Sequence, residues 1–124
     1  MKTALVLDDQ TAYTRALARS LRGSLEIVGA ETLQRARDVL RPDMAFALVD
    51  ICLSTAEITN REGLDFVRWL REKAPGICII AMSAKDDPDI PAMSIHAGAD
   101  RFLSKPLKMT ELRQILADFE EKSS

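Results

Sequence analysis

The sequence predicts a single α/β domain spanning residues 1–124, with a parallel sheet covered by helices on both faces. Five short apolar runs alternate with five stretches in which apolar residues recur at helical spacing. Alternation of this kind is typical of parallel strands joined by right-handed helical crossovers. A chain of 124 residues is also long enough to bury a core without disulfide bonds or a structural metal.

The apolar runs are the predicted strands. They are TALVL (3–7), LEIVGA (25–30), AFALV (45–49), ICIIAM (77–82) and RFLS (101–104). All strands of a parallel sheet point the same way, so the residues that follow them gather along one edge. That edge is where open α/β sheets build their functional sites.

The stretches between the strands are the predicted helices. Their apolar positions include Leu17 and Leu21, Leu33 and Leu40, Leu64 and Leu70, and Leu112 and Phe119, with a shorter helix over Ile90 to Ala97. Stop signals follow the first four helices at Gly23, Pro42, Pro75-Gly76 and Gly98. Gly98 stands where a glycine is favoured just beyond a helix C-terminus.

Composition and charge exclude several functional classes. The chain is 47% hydrophobic and 29% charged, as in an ordinary globular protein, and its net charge is -2. This charge gives no electrostatic reason to expect nucleic acid or an anionic membrane as a direct partner. The first apolar stretch, Ala4 to Leu7, is too short for a signal peptide or a membrane span. We therefore expect a cytoplasmic protein.

Four of the predicted strands end in residues that a phosphoryl-transfer site needs. These residues are Asp8 and Asp9, Asp50, Ser83, and Lys105. A carboxylate can attack a phosphoryl group and hold it as an acyl phosphate. Clustered aspartates supply the hard oxygen ligands that Mg²⁺ prefers, and an ammonium can pair with a phosphoryl oxygen. The sequence thus predicts three carboxylates, a hydroxyl and an ammonium at one edge of the sheet.

Each of these residues also has a purely structural interpretation. An Asp pair after a strand is often a helix N-cap, and a lone Asp or Ser commonly belongs to a turn. Lys105 before Pro106 would by itself be a solvated surface lysine. Their joint placement after successive strands favours the functional interpretation. Phe102 retains core packing as a second interpretation, because aromatic residues dominate cores.

Four motifs, taken together and in order, resemble the receiver domain of two-component response regulators. They are Asp8-Asp9, Pro42-Asp43 leading into AFALVD, Met82-Ser83-Ala84, and the run from Gly98 to Pro106. The resemblance covers essentially the whole chain, and the chain resembles the receiver domains of the chemotaxis-regulator type. It implies a flavodoxin-like fold, a (βα)5 doubly wound sheet with strand order 2-1-3-4-5.

The resemblance also implies a phosphoacceptor and a set of metal ligands. By the family pattern Asp50 accepts the phosphoryl group. Asp9 and Asp50 bind Mg²⁺ directly, Asp8 acts mostly through water, and the Cys52 backbone carbonyl completes the protein ligands. No other cofactor is implied.

The same pattern implies the residues of a conformational switch. Lys105 is similar to the family lysine that pairs with a phosphoryl oxygen, and Ser83 to the hydroxyl that binds another. Phe102 stands at the position of the switch aromatic. The expected output face is the fourth helix, fifth strand and fifth helix. The resemblance alone predicts a cis peptide bond between Lys105 and Pro106.

We therefore expect a signalling phosphoacceptor rather than an enzyme. Its partners would be a sensor histidine kinase or a histidine phosphotransfer protein, and a downstream effector. Two alternatives remain: a degenerate receiver that interacts independently of phosphorylation, and a haloacid-dehalogenase-like phosphatase. The first is opposed by the presence of all five chemical residues. The second requires Asp-x-Asp after the first strand, a spacing that Asp8-Asp9-Gln10-Thr11 lacks.

The segment after Asp50 departs from the family pattern. Leu53 and Ser54 replace the usual Met-Pro pair, and Gly63, 13 residues after Asp50, stands later than the family glycine. This spacing implies an inserted loop, residues 53–62, that leaves the sheet beside the phosphoacceptor. Loops at such an edge often carry function.

The loop has two interpretations. It is either a solvated connection, or it brings Glu57, Asn60 or Glu62 towards the metal. Because closure entropy changes slowly with loop length, shortening Ser54 to Asn60 is expected to leave the fold and labelling by small donors largely intact. It would instead change transfer from the cognate donor or the lifetime of the phosphorylated form.

Overall fold

The computed structural model describes residues 2–51, 61–84 and 88–123, in which five strands and five helices alternate. The strands are β1 (Lys2–Leu7), β2 (Leu25–Ala30), β3 (Met44–Asp50), β4 (Cys78–Ser83) and β5 (Arg101–Ser104). The helices are α1 (Thr11–Ser20), α2 (Leu33–Val39), α3 (Arg61–Lys73), α4 (Ile90–Ala97) and α5 (Met109–Ser123). The ten predicted elements are confirmed. Among the described helices, none has the length and apolar character needed to cross a membrane.

The five strands form one sheet in the order β2-β1-β3-β4-β5, and every pair of neighbours is parallel. This confirms the flavodoxin-like topology. In the register of β3 and β4, Asp50 lies opposite Met82, and in that of β4 and β5, Ser83 lies opposite Ser104. The strand ends that carry the candidate site residues therefore lie along the same edge of the sheet.

The core consists of two buried layers, one on each face of the sheet. The first contains Leu5, Leu7, Val49 and Ile79 from the strands and Ala36, Val67, Leu70 and Ile90 from α2, α3 and α4. The second contains Val6, Phe46, Leu48 and Ile80 from the strands, together with Leu17 of α1 and Leu112 of α5. Because the central strands are buried on both faces, their sequences are almost continuously apolar.

Two helix ends show why the chain turns where it does. The hydroxyl of Thr32 accepts a hydrogen bond from the Arg35 N–H at 3.1 Å and so caps the N-terminus of α2. Gly98 follows α4 with a φ of 126°, a conformation that other residues rarely adopt, which confirms the predicted glycine stop. The chain can therefore reverse directly from α4 into β5.

Arg71 on α3 ties three segments of the chain together. Its guanidinium donates to the carbonyl oxygens of Gly98, Pro75 and Ile77 at distances between 2.9 and 3.1 Å. It also pairs with Asp100 Oδ2 at 2.7 Å, and that oxygen accepts from the Ile79 N–H at 2.8 Å. One side chain thus fixes the start of β4 and the α4–β5 turn against α3.

We expect Arg71→Lys to lower the free energy of unfolding by about 1–2 kcal/mol, because a lysine lacks the planar fork of donors that reaches several carbonyls at once. Urea unfolding measures this loss. Arg68→Lys on the same helix is the control: its pair with Asp65 is solvent-exposed, so a change below about 0.5 kcal/mol is expected. Similar losses in the two variants would contradict the role given to Arg71.

Candidate functional site

The candidate residues lie at the carboxyl ends of four strands. Asp8 follows β1 directly, Asp50 is the last residue of β3, Ser83 the last of β4, and Lys105 follows β5. The backbone is held there by bonds between neighbouring segments: Asp8 N–H donates to Ala30 O at 3.0 Å, and Lys105 N–H to Ser83 O at 3.0 Å. The predicted convergence on one edge is therefore what the structure shows.

Three carboxylates form an acidic cluster at this edge. Each of Asp8, Asp9 and Asp50 offers an oxygen atom, and these atoms lie within 4.8 Å of one another. Asp8 and Asp50 are buried, with 1% and 4% of their surfaces exposed, whereas Asp9 is exposed. Carboxylates held this close repel one another unless a cation lies among them. The donor set of hard oxygens fits Mg²⁺, so the cluster could hold this ion.

Lys105 supplies the positive charge that faces this cluster. Its Nζ donates to Asp8 Oδ2 at 2.7 Å, to Asp50 Oδ2 at 3.2 Å and to Gln10 Oε1 at 3.2 Å. Burial lowers the pKa of Lys105, but the hydrogen bond to Asp8 and the charges of Asp50 and Asp8 together outweigh burial and raise it above 10.5. The ammonium is therefore charged at neutral pH, and one cation balances part of the charge of three carboxylates.

Asp8 and Asp9 differ in how their carboxylates are engaged. Asp8 Oδ1 accepts from the Gln10 N–H at 2.9 Å, while its Oδ2 accepts from Lys105. Both oxygens of Asp8 already have partners within the protein. The Asp9 carboxylate is exposed and belongs to the same cluster. The predicted ordering, in which Asp9 binds a metal directly and Asp8 acts through water, stays a prediction.

Ser83 and Phe102 occupy positions suited to their predicted roles, which stay predictions. Ser83 is 1% exposed at the end of β4, one residue beyond the partner of Asp50 in the sheet. Phe102 is half-buried and packs against the core layer on the α3 and α4 side. The predicted cis peptide bond between Lys105 and Pro106 is present and confirmed.

Part of the predicted site lies outside the described residues. Cys52, Glu57 and Asn60 belong to the segment from 52 to 60, so the Cys52 carbonyl ligand and the role of the loop stay predictions. Glu62 is described: it is exposed in the first turn of α3, and it is not a member of the acidic cluster found among the described side chains.

Two residues that contact Lys105 were not predicted as part of the site. Gln10 accepts a hydrogen bond from its ammonium, and Tyr13 places its ring below the same group, 4.5 Å from ring centroid to Nζ. The sequence places Tyr13 on the apolar face of α1, a position that signals packing. Its contact with Lys105 depends on how α1 crosses the sheet edge.

Gly63 brings the start of α3 against the end of β3. A Cβ atom at this position would lie 2.5 Å from Ile51 O and 2.6 Å from Ile51 Cα, and both are backbone atoms that cannot rotate away. Ile51 directly follows Asp50. A glycine is therefore required here for close packing, which gives a physical reason why the sequence has a glycine at this position.

We expect Gly63→Ala to destabilise the fold by about 2 kcal/mol or more, because the added methyl group must displace either α3 or the backbone beside Asp50. Gly76→Ala is the matched control, since a Cβ there meets nothing within 4 Å. That variant should be neutral or slightly stabilising. Thermal unfolding of both proteins makes the comparison, and a neutral Gly63→Ala would refute the packing argument.

Comparisons with known proteins agree with this geometry. A model of the response regulator receiver domain matches residues 4–117. The KDP operon transcriptional regulatory protein KdpE of Escherichia coli is 30% identical over 91% of this chain and 48% of its own length. The response regulator protein PilR of Pseudomonas aeruginosa is 28% identical over 92% of this chain and 25% of its own length.

The fold comparison agrees as well. The crystal structure of a CheY-like response regulator receiver domain protein from Methanospirillum hungatei superposes with a TM-score of 0.83, at 24% identity, covering 99% of this chain and 97% of that one. The chain spans between a quarter and about half of the length of the two curated relatives described above. The matched family model, the sheet order and the acidic edge lead to one conclusion: this chain belongs to the response regulator receiver domain family.

Proposed function

We propose that this receiver domain accepts a phosphoryl group on Asp50 from a phosphohistidine donor and changes a partner-binding face in response. One observation supports this most strongly: Lys105 Nζ lies 2.7 Å from Asp8 and 3.2 Å from Asp50, two of the three carboxylates of the acidic cluster. A buried carboxylate beside an ammonium and further acidic ligands matches what phosphoryl transfer requires, namely positioning and charge neutralisation.

The transfer needs little covalent chemistry from the protein. A carboxylate oxygen of Asp50 attacks the phosphorus atom, an O–P bond forms, and the P–N bond to the donor imidazole breaks with its electron pair passing to the ring nitrogen. Mg²⁺ held by Asp9 and Asp50, with Asp8 acting through water and the Cys52 carbonyl as a further ligand, would supply charge neutralisation at the phosphoryl oxygens. Lys105 would then pair with a phosphoryl oxygen, and Ser83 would donate to another.

The proposed output follows from Ser83 and Phe102. Movement of the Ser83 hydroxyl towards a phosphoryl group would shift the end of β4. The shift would pass to the neighbouring strand β5, which carries Phe102. The face of α4, β5 and α5 would present this change to a downstream effector. A histidine kinase or histidine phosphotransfer protein in the cytoplasm would be the donor, and the domain would act as a signalling phosphoacceptor rather than an enzyme.

Incubation with acetyl phosphate and Mg²⁺, followed by intact mass, tests this function. The expected result is one phosphoryl group per chain, and no labelling when the metal is chelated before acetyl phosphate is added. A degenerate receiver would fold in the same way and remain unlabelled. A haloacid-dehalogenase-like phosphatase would instead turn over a small phosphoester continuously. Either of these results would replace the proposed function.

A further inference from the structure

Tyr13 contacts the segment around Lys105 with two separate parts of its side chain. The ring faces the ammonium, with Nζ 4.5 Å from the ring centroid. The hydroxyl oxygen accepts a hydrogen bond from the Leu107 N–H at 2.9 Å. A single residue of α1 therefore holds both the charged end of Lys105 and the backbone two residues beyond it.

The ring contact restricts an ammonium that carries three donors. Its hydrogen-bond partners among the described residues are Asp8, Asp50 and Gln10, which match the number of N–H groups that a lysine offers. The negative face of an aromatic ring attracts a cation, and the attraction grows when water is excluded. The Lys105 side chain is 7% exposed, so the Tyr13 ring acts in a site that is largely dry.

The hydroxyl contact fixes the backbone. Lys105 lies on the short connection between β5 and α5; its own N–H is bonded to Ser83 O of β4, and Leu107 lies two residues beyond that bond. The hydrogen bond from Leu107 to Tyr13 joins this connection to α1, 94 residues away in sequence. The flexible stem of Lys105 thus starts from a fixed backbone and ends against a fixed ring.

We propose that Tyr13 is a positioning residue for Lys105, and that it holds the ammonium at the place where the phosphoryl group on Asp50 is to be neutralised. The inference rests on the function proposed above. The competing interpretation is that Tyr13 only packs, since its ring also lies against the core layer on the α1 and α5 side. Packing alone would affect stability without affecting the order of the Lys105 side chain.

The test compares two variants. Tyr13→Phe keeps the ring and loses the hydroxyl, whereas Tyr13→Leu loses both. If the leucine variant does not fold, Tyr13→Met takes its place. Side-chain ¹³Cε relaxation of Lys105 in the metal-free protein measures its mobility, with exposed Lys108 as the internal reference. Acetyl phosphate with Mg²⁺ measures the labelling rate. We expect the leucine variant to have a mobile Lys105 and a rate lower by about five- to tenfold, and the phenylalanine variant to stay within about twofold of the parent.

Unchanged Lys105 mobility in the leucine or methionine variant would overturn the inference. A leucine or methionine variant labelled at the parent rate would also overturn it, because Lys105 would then act on the phosphoryl group without Tyr13. A parent protein that is not labelled at all would refute the proposed function. In that case the relaxation measurement still decides whether Tyr13 holds Lys105, since it needs neither metal nor phosphoryl group.

Discussion

Replacing Lys105 with methionine is expected to slow labelling of the protein by acetyl phosphate by about 100-fold, since one preorganised charge at the transferring group commonly contributes this much. The same change removes the cation that pairs with two buried carboxylates, Asp8 and Asp50. Loss of one partner of a buried ion pair leaves its counterpart uncompensated, so the metal-free fold should lose about 3 kcal/mol.

Lys108→Met is the matched control for this change. Lys108 carries the same charge three residues later, but its side chain is 78% exposed and its contact with Glu111 is 4.0 Å long. Labelling rate and urea unfolding should both remain close to those of the parent. Labelling at the parent rate in the Lys105 variant would show that its ammonium does not act on the phosphoryl group.

The charge of Lys105 should also make the free energy of unfolding depend on pH. Its pKa in the folded protein is raised above 10.5 by the Asp8 hydrogen bond and the charges of Asp50 and Asp8, which outweigh the opposing effect of burial. Because the pKa of Lys105 is higher in the folded than in the unfolded protein, its ammonium makes its full contribution to stability at pH values below the pKa of the unfolded state. We therefore expect the stability difference between the parent and Lys105→Met to be constant from neutral pH up to about pH 10 and to shrink as pH rises through the folded pKa. A difference that instead grew in this range would have the wrong sign.

The second large effect concerns Mg²⁺. Asp9→Asn is expected to weaken Mg²⁺ binding by about 100-fold or more, and Asp8→Asn by only about tenfold, the effect typical of an outer partner. The reason is geometric: both oxygens of Asp8 accept hydrogen bonds from Gln10 and Lys105, whereas the Asp9 carboxylate is exposed within the cluster. Calorimetric Mg²⁺ titration of the two variants and the parent measures the ordering.

Asp43→Asn provides the control for the lost charge. Asp43 precedes β3 and has a side chain that is 69% exposed, and it is not part of the acidic cluster. Because exposed charges far from a site are screened by salt, its Mg²⁺ affinity should stay within about twofold of the parent. Equal losses in Asp8→Asn and Asp9→Asn would contradict the ligand assignment.

The fold could be predicted because its strongest signals are local. The segment AFALVD is continuously apolar up to its final aspartate because β3 lies in the middle of the sheet and both of its faces are buried. The turn at Gly98 could be placed because a positive φ favours glycine. The strand order came from the family resemblance, since alternation alone does not select the sequence of neighbours in the sheet.

The site could be predicted only in part, for a physical reason. Because parallel strand ends gather on one edge, the order of strands along the chain was enough to place Asp8, Asp50 and Lys105 near one another. The contacts of Tyr13 and Arg71 depend on helix positions and on side-chain rotamers, to which apolar periodicity is insensitive. Both residues bind groups that are distant in sequence, as the hydrogen bond from Leu107 to Tyr13 illustrates.

The most direct test of the central claim is to locate the phosphoryl group. After labelling with acetyl phosphate and Mg²⁺, borohydride reduces an acyl phosphate to an alcohol, which marks the modified aspartate permanently for peptide mass mapping. We predict a single mark at Asp50 and none at Asp8 or Asp9, although all three lie in one cluster. A mark on Asp8 or Asp9, or labelling that persists in Asp50→Asn, would contradict it.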